Sequence, residues 1–408
     1  MPEQADPPLR PTRAIVDLDR IVSNFRAIRS HCAPSRVFPV VKANAYGHGA
    51  PAVARALERA GADALCVALL EEGYDLRRRA VACPILLISS LDAGQIGPAY
   101  DAGLTPTLYR TDLLEVAEAA GRRMGRPAGF HVTVDTGMSR LGLPLPELAA
   151  FIERLRAASP HARLEGVYSS LACADRPQDP HNARQIELFE DALRAFTAAG
   201  ISPGIRHLAN SACLENLPGT LYDAVRPGIL LYGVPPLPGG TRIPVRPALS
   251  LVSEIVQVRE APAGTPVGYS STFIASRHSI LATIPAGYDD GVNRHLSNKG
   301  VALVNGRRAP ILGRVSMDLT VLDVTDCGPV SCGDEVVLIG AQGDEMITAW
   351  DVSSIAGSIP WDILCRIGGR VTRDFHEGGR FAGRWSHWQS RIGAPPAEEG
   401  IPLVRESC

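Results

Sequence analysis

Val37-Phe38-Pro39-Val40-Val41-Lys42-Ala43-Asn44-Ala45-Tyr46-Gly47-His48-Gly49 is an apolar run that ends on a lysine and then on small residues and two glycines. The run reads as a strand over residues 37–41. The change after it marks the strand's C-terminal end, where parallel α/β folds present their reactive groups. Working outward, short apolar runs at 65–68, 85–89, 130–134, 164–168 and 205–208 read as further strands. Amphipathic stretches at 51–59, 112–121, 147–157 and 182–199 read as helices between them. Such alternation builds a parallel sheet. About 220 residues of it, from Ala14 to about Val234, fit a (β/α)8 barrel better than an open doubly wound sheet.

Residues 234–249 hold five prolines and the adjacent pair Gly239-Gly240, a density that neither a helix nor a central strand tolerates. The texture then turns to β, with runs at 251–259, 280–284, 301–304, 319–324 and 335–339 between Gly- and Asp-containing turns. The expected organisation is an extension over 1–13, a barrel over 14–240, a mostly-β domain over 241–376 and a tail over 377–408. From about His376 the chain is rich in Gly, Pro, Arg and Trp without periodicity, and no function is assigned to it.

The 41 basic and 43 acidic side chains nearly balance, so nothing in the charge calls for nucleic acid or an anionic membrane, and the ligand is expected to be small. The nine cysteines include no Cys-x-x-Cys pair, which fits neither a disulfide framework nor a zinc site and points to a reducing cytoplasm. Residues 1–13 do not read as a signal peptide. No apolar stretch approaches the ~20 residues of a membrane helix. No metal is expected.

Lys42, at a strand end with room beside it, can lose its proton on desolvation and form a Schiff base with an aldehyde cofactor. A strand-end lysine reaching water is the plain alternative. The surrounding string decides between them. It resembles the cofactor-lysine motif of the alanine racemase family. The resemblance continues through Asp135-Thr136-Gly137-Met138-Ser139-Arg140-Leu141-Gly142, Ala209-Asn210-Ser211-Ala212, Val225-Arg226-Pro227-Gly228-Ile229-Leu230-Leu231-Tyr232-Gly233, Val267-Gly268-Tyr269, Pro285-Ala286-Gly287-Tyr288 and Gly313-Arg314-Val315-Ser316-Met317-Asp318. It spans roughly residues 12–375 in the family's order.

The resemblance implies a pyridoxal 5'-phosphate barrel followed by a C-terminal β domain, working as a head-to-tail homodimer on a small amino acid, alanine first. Racemisation removes an α-hydrogen from one face and returns one to the other, so two acid/base groups must flank a planar centre. The family's pair matches Lys42 and Tyr269, the tyrosine coming from the partner subunit. A phenol with a reference pKa near 10 needs about 3.4 kcal/mol of help to ionise near neutrality. One charge at ~4 Å and an effective dielectric of 20 contributes about 4 kcal/mol, and Arg140 matches the arginine near both that tyrosine and the substrate carboxylate. Arg226 matches the residue facing the pyridine nitrogen; an arginine cannot give up its proton, so that nitrogen stays neutral. Tyr46, Asn210, Ser211, Gly228 and Ile229 match the cofactor and phosphate contacts, and Met317, Tyr288 and Asp318 the substrate side and its mouth.

Two positions depart from the family pattern. Ser170 stands where a histidine commonly packs by the ring and bonds the pyridine-side arginine, and Trp361 stands for a tyrosine whose hydroxyl bonds the phosphate. Thr133 is a further difference, standing where many members carry a carbamylated lysine and other members manage without one. Ser170 and Trp361 leave open a racemase of another amino acid, such as serine. A barrel-type pyridoxal decarboxylase would be expected to carry an acid where Arg226 stands. A non-enzymatic cofactor carrier would lack the β domain with Tyr269.

Overall fold

The computed structural model describes residues 9–158 and 160–385. Eight parallel strands close on themselves: Arg36–Val37, Leu65–Val67, Ile85–Leu87, Thr107–Leu108, Ala128–Asp135, Ala162–Tyr168, Ile205–Asn210 and Ala224–Arg226. Single bridges, Val40 with Cys66 and Leu86 with Thr105, complete the ring where the ladders are short. The barrel is therefore closed, and the open sheet is excluded. Its strands are buried on both faces, which is why they read as unbroken apolar runs rather than alternating ones. Two of them, Thr107–Leu108 and Ala224–Arg226, were not among the strands expected from apolar runs; they are too short to register as such.

Helix Leu18–Cys32 precedes the first barrel strand and packs beside the last turn of the barrel, Ile229–Tyr232, and helix Ala50–Arg59. Asp17 caps it, and its buried residues Leu18, Ile21, Asn24, Phe25, Ile28 and Cys32 fall on one face at helical spacing. Asn24 is buried yet satisfied, donating to the Leu231 and Arg246 carbonyls and accepting the Arg246 N–H. It thereby ties the Pro-rich connection to the barrel wall.

The C-terminal half is an 11-stranded sheet with short helices Ala349–Ala356 and Pro360–Cys365. Three findings differ from the sequence reading. Residues 14–17, placed in the barrel span by the sequence reading with no strand assigned to them, belong to a strand of this sheet, Arg13–Asp17, antiparallel to Leu249–Glu254 and parallel to Thr372–Glu377. The run expected as one strand over 251–259 is two, Leu249–Glu254 and Gln257–Ala261, because at Ile255 and Val256 the backbone bonds change from Asp334 to Thr283. The segment expected to be tail contributes a strand, Arg380–Trp385, paired with Thr372–Glu377. Gly378 and Gly379, at φ 61° and 71°, make the two-residue turn between them, a conformation that favours glycine at both positions. The rest of the tail, 386–408, lies outside the described residues, as do 1–8 of the extension. Among the described residues no helix is long and apolar enough to cross a membrane.

Candidate active site

The first barrel strand, expected over 37–41, is the shorter Arg36–Val37 with a single further bridge at Val40, and Lys42, two residues beyond that bridge, starts a turn of unusual hand. Ala43, Asn44, Ala45 and Tyr46 all have φ between 51° and 54°, so the chain makes one turn of left-handed helix with no glycine in it. Each such residue costs roughly 1–2 kcal/mol, so the turn must be held by its surroundings. It is. Glu72 accepts the Ala43 N–H at 2.6 Å and, through its other oxygen, those of Ala68 and Leu69 at 2.8 and 3.1 Å. Asn44 accepts the Ala50 N–H at 2.9 Å, starting the next helix. His48 Nδ1 donates to the Ala45 and Tyr46 carbonyls, and Arg373 donates to the Gly47 carbonyl at 3.0 Å. Gly47 meets the Leu364 carbonyl so closely that a Cβ there would overlap it, which seats helix Pro360–Cys365 on the turn.

Arg373 is almost wholly buried and faces carbonyls rather than a carboxylate, donating also to Gly368, Val371 and Ile367. Burial lowers its pKa to about 10, and four backbone oxygens satisfy a guanidinium that would otherwise be costly inside. Its role was invisible in the sequence because every partner is backbone.

Burial lowers the Lys42 pKa, and the Arg140 charge lowers it further, against a smaller opposing pull from Glu72. The amine is thus biased toward the neutral, nucleophilic form. Arg140 itself is exposed, on a loop whose turn is fixed by Asp135 accepting the Gly137 and Ser139 N–H groups.

Arg226 lies at the end of the last barrel strand, buried, with its guanidinium 4.8 Å from the Tyr168 ring centre. It donates to His207 Nδ1 at 2.7 Å, to the Ser169 carbonyl at 2.7 Å and, at a weaker 3.4 Å, to Ser170 Oγ. His207 continues to His131 through a 2.8 Å contact between Nε2 and Nδ1. Arginine only donates, so His207 Nδ1 accepts and its Nε2–H donates onward to His131. Burial and the neighbouring Arg226 charge keep both imidazoles neutral, His131 with its pKa lowered to about 3 and His207 well below the ordinary range. The two histidines were missed at the sequence level, although both fall inside expected strands, His131 in 130–134 and His207 in 205–208.

Tyr46, Ser211 and Gly228 converge. Ser211 Oγ accepts the Gly228 N–H at 2.9 Å, and a Cβ on Gly228 would lie 2.6 Å from the Tyr46 hydroxyl. Asn210 caps the short helix Ser211–Asn216 by accepting the Ala212 and Cys213 N–H groups, which orients Ser211. Ile229 begins the adjoining turn. Hydroxyl and amide donors around a space that only glycine leaves fit a phosphate ester. Thr133 is buried in the barrel wall. Gln185, fully buried, donates to Thr136 Oγ1 and the Ser170 carbonyl and accepts the Ala172 N–H, joining the loops that carry Arg140 and Ser170. Trp361 is half-buried in the helix seated on the lysine turn.

Tyr269, Tyr288, Met317 and Asp318 line one surface cavity of the C-terminal domain, and Lys42 is not among its lining residues. Tyr269 is 71% exposed. Arg370 braces this group, donating to Asp318 at 2.7 Å, to buried Asp290 and to the Met317 carbonyl; Arg10 of the N-terminal segment also pairs with Asp290. Within one chain, then, the lysine half and the tyrosine half of the expected site do not meet. Among the described residues no cluster of metal-ligating side chains is found.

Comparison with known proteins follows this division. The family description "Alanine racemase, N-terminal domain" matches residues 16–236, and "Alanine racemase, C-terminal domain" matches residues 248–375. The alanine racemase of Symbiobacterium thermophilum is 43% identical over 366 residues, covering 90% of this chain and 97% of that one. The alanine racemase from D-cycloserine-producing Streptomyces lavendulae superposes with a TM-score of 0.87 at 35% identity, covering 91% of this chain and 98% of that one. The alanine racemase from Bartonella henselae with covalently bound pyridoxal phosphate has a TM-score of 0.82 at 33% identity, covering 91% and 100%.

Proposed function

The chain belongs to the alanine racemase family, and on that premise we propose how its own residues carry the reaction. It is a pyridoxal-phosphate-dependent alanine racemase, interconverting L- and D-alanine. The carrying observation is the match of both halves of the chain, over 90% of its length, to relatives named for that activity. The decarboxylase and carrier readings lose their support with it.

When bound, pyridoxal phosphate supplies an electron sink that acidifies the α-hydrogen of an amino acid joined to its aldehyde carbon. Lys42, its pKa lowered by burial and by Arg140, holds the cofactor and then exchanges the proton on one face. Tyr269 of the partner subunit serves the other face; its exposure, in a cavity that Lys42 does not line, supports a homodimer in which each chain completes its neighbour's site. Arg226 would face the pyridine nitrogen and, as a group that only donates, would leave it unprotonated; its Nη1 and Nη2 groups are held by His207 and the Ser169 carbonyl, and among the described residues no carboxylate bonds it. Tyr46, Ser211, Gly228 and Ile229 hold the phosphate, with Asn210 placing Ser211 and Trp361 closing the cup. Arg140 and the partner's Met317 N–H receive the substrate carboxylate, with Tyr288 at the mouth and Asp318, paired with Arg370, fixing the loop. Supply of D-alanine in a reducing cytoplasm completes the proposal, supported by the free cysteines.

The test is to incubate the purified holoenzyme with single L-amino acids and separate the products by chiral chromatography. Alanine should be turned over fastest. Serine turned over faster, or release of carbon dioxide, would overturn the reading.

A further inference from the structure

Between the barrel and the C-terminal sheet, behind the lysine turn, a cavity of about 330 Å³ opens to solvent. Its walls are mainly apolar, with Ile339, Met346, Trp350 and Leu364 beside the rings of His48 and Tyr232. Those two rings lie 4.5 Å apart, tilted by 32°. The volume suits a small organic molecule. Lys42, Ser211, Gly228 and Arg226 are not among the lining residues, so the space is distinct from the cofactor cup.

His48 defines what the cavity would recognise. The side chain is 1% exposed, and its Nδ1 faces the Ala45 and Tyr46 carbonyls at 3.1 and 3.0 Å. Carbonyls only accept, so Nδ1 carries the proton. Burial holds the pKa at about 4, so the ring is neutral and Nε2, on its opposite edge, is a bare acceptor. Among the described residues no protein donor bonds it. The neighbouring donors are committed elsewhere: the Tyr232 hydroxyl to the Val40 carbonyl at 2.8 Å, and Trp350 Nε1–H to the Pro235 carbonyl at 3.0 Å.

We propose that this cavity is a second binding site, for a small, flat, mostly apolar molecule carrying one hydrogen-bond donor, a phenol being the simplest member. The donor bonds His48 Nε2, and the ring lies among Tyr232, Trp350 and the Met346 thioether, a setting that favours an aromatic guest. An anion is disfavoured, because the neutral Nε2 lone pair repels it and the one charged lining residue, Arg20, is already paired with Asp17 at 3.0 Å and donates to the Pro247 carbonyl at 2.9 Å. A guest here sits one side chain from the turn that carries Lys42.

The experiment titrates phenol and toluene into the holoenzyme and follows binding by ligand-observed NMR. Both bind saturably to the unaltered protein. His48→Phe weakens phenol about fivefold to tenfold, the loss of one hydrogen bond, and leaves toluene unchanged. Ala341→Trp, which fills the cavity from its lining, abolishes both. Should His48→Phe not fold, a holoenzyme crystal soaked in phenol replaces it, with the hydroxyl expected within hydrogen-bonding distance of Nε2. Absence of saturable binding, binding that persists in Ala341→Trp, or a phenol hydroxyl directed away from His48 overturns the proposal. Binding is read directly, so the outcome is independent of the racemase assignment.

Discussion

Replacing Ala43 with glycine should stabilise this protein, opposite to what the same change does in an ordinary helix. Ala43 has φ 51° and ψ 49°, and its side chain is exposed, so no packing is lost with the methyl group. The left-handed conformation costs an alanine roughly 1–2 kcal/mol and costs glycine nothing. Against that, glycine widens the unfolded ensemble by about 0.5–1 kcal/mol. The net is a gain of between zero and about 1.5 kcal/mol, a rise of up to about 2 °C in the unfolding midpoint of a chain this size. Ala150→Gly is the control: an exposed position in the right-handed helix Leu148–Ala158, where the change should cost about 1 kcal/mol. Both are compared with the parent holoenzyme by thermal unfolding at one scan rate. The stiff turn also aims Lys42, so Ala43→Gly should lower kcat severalfold while it raises the midpoint. If Ala43→Gly lowers the midpoint as much as Ala150→Gly does, the turn is not strained and the account of what holds it fails.

Gly228→Ala would bring a methyl group 2.6 Å from the Tyr46 hydroxyl, and Tyr46 is backed by the Tyr232 ring with centroids 5.0 Å apart. Displacing the hydroxyl should weaken cofactor binding by about 1.5–3 kcal/mol, roughly tenfold to a hundredfold in a titration of the apoenzyme with pyridoxal phosphate; an unchanged affinity would remove Tyr46 and Gly228 from the phosphate cup. Lys42→Ala should abolish the visible absorbance of the attached cofactor, and survival of that band excludes Lys42 from the role. Tyr269→Phe should keep the band and lose turnover unequally in the two directions; mixing it with Lys42→Ala should restore activity in hybrid dimers holding one intact site, and failure to do so would argue against a shared site. His48 and His131, with pKa values lowered to about 4 and about 3, bind fewer protons folded than unfolded. Their contribution is complete above about pH 6.5 and is lost as pH falls toward 3–4, by about 3 kcal/mol for His48 alone. Urea midpoints measured from pH 7 down to pH 5, above most carboxylate titration, should therefore decline, and a flat profile would show that these imidazoles are not held neutral.

The barrel could be read from the chain because strands buried on both faces leave apolar runs, and because Pro and Gly between 234 and 249 interrupt every regular pattern. Lys42, Arg226 and the Tyr46–Ser211–Gly228 group were reached only because their strings resemble the family's motifs, since each alone reads as an ordinary strand-end or turn residue; the fold brings Tyr46, Ser211 and Gly228 together. Strands of two or three residues, such as Thr107–Leu108, carry too few side chains to show a period. The glycine pair at 378–379 is a hairpin signal, but the strands beside it carry too little alternation to stand out from a Gly- and Arg-rich stretch.

Only the folded chain decided what depends on residues distant in sequence. Arg13–Asp17 looks like any opening strand; its place in the C-terminal sheet is set by partners more than 200 residues away. Likewise the Arg226–His207–His131 series, the backbone clamp of Arg373 and the Glu72 contacts arise where strand ends and loops converge, and the groups they bond, often main-chain atoms, leave no trace in residue identity. Local pattern records what each segment buries, whereas hydrogen bonds between segments exist only after the barrel has closed.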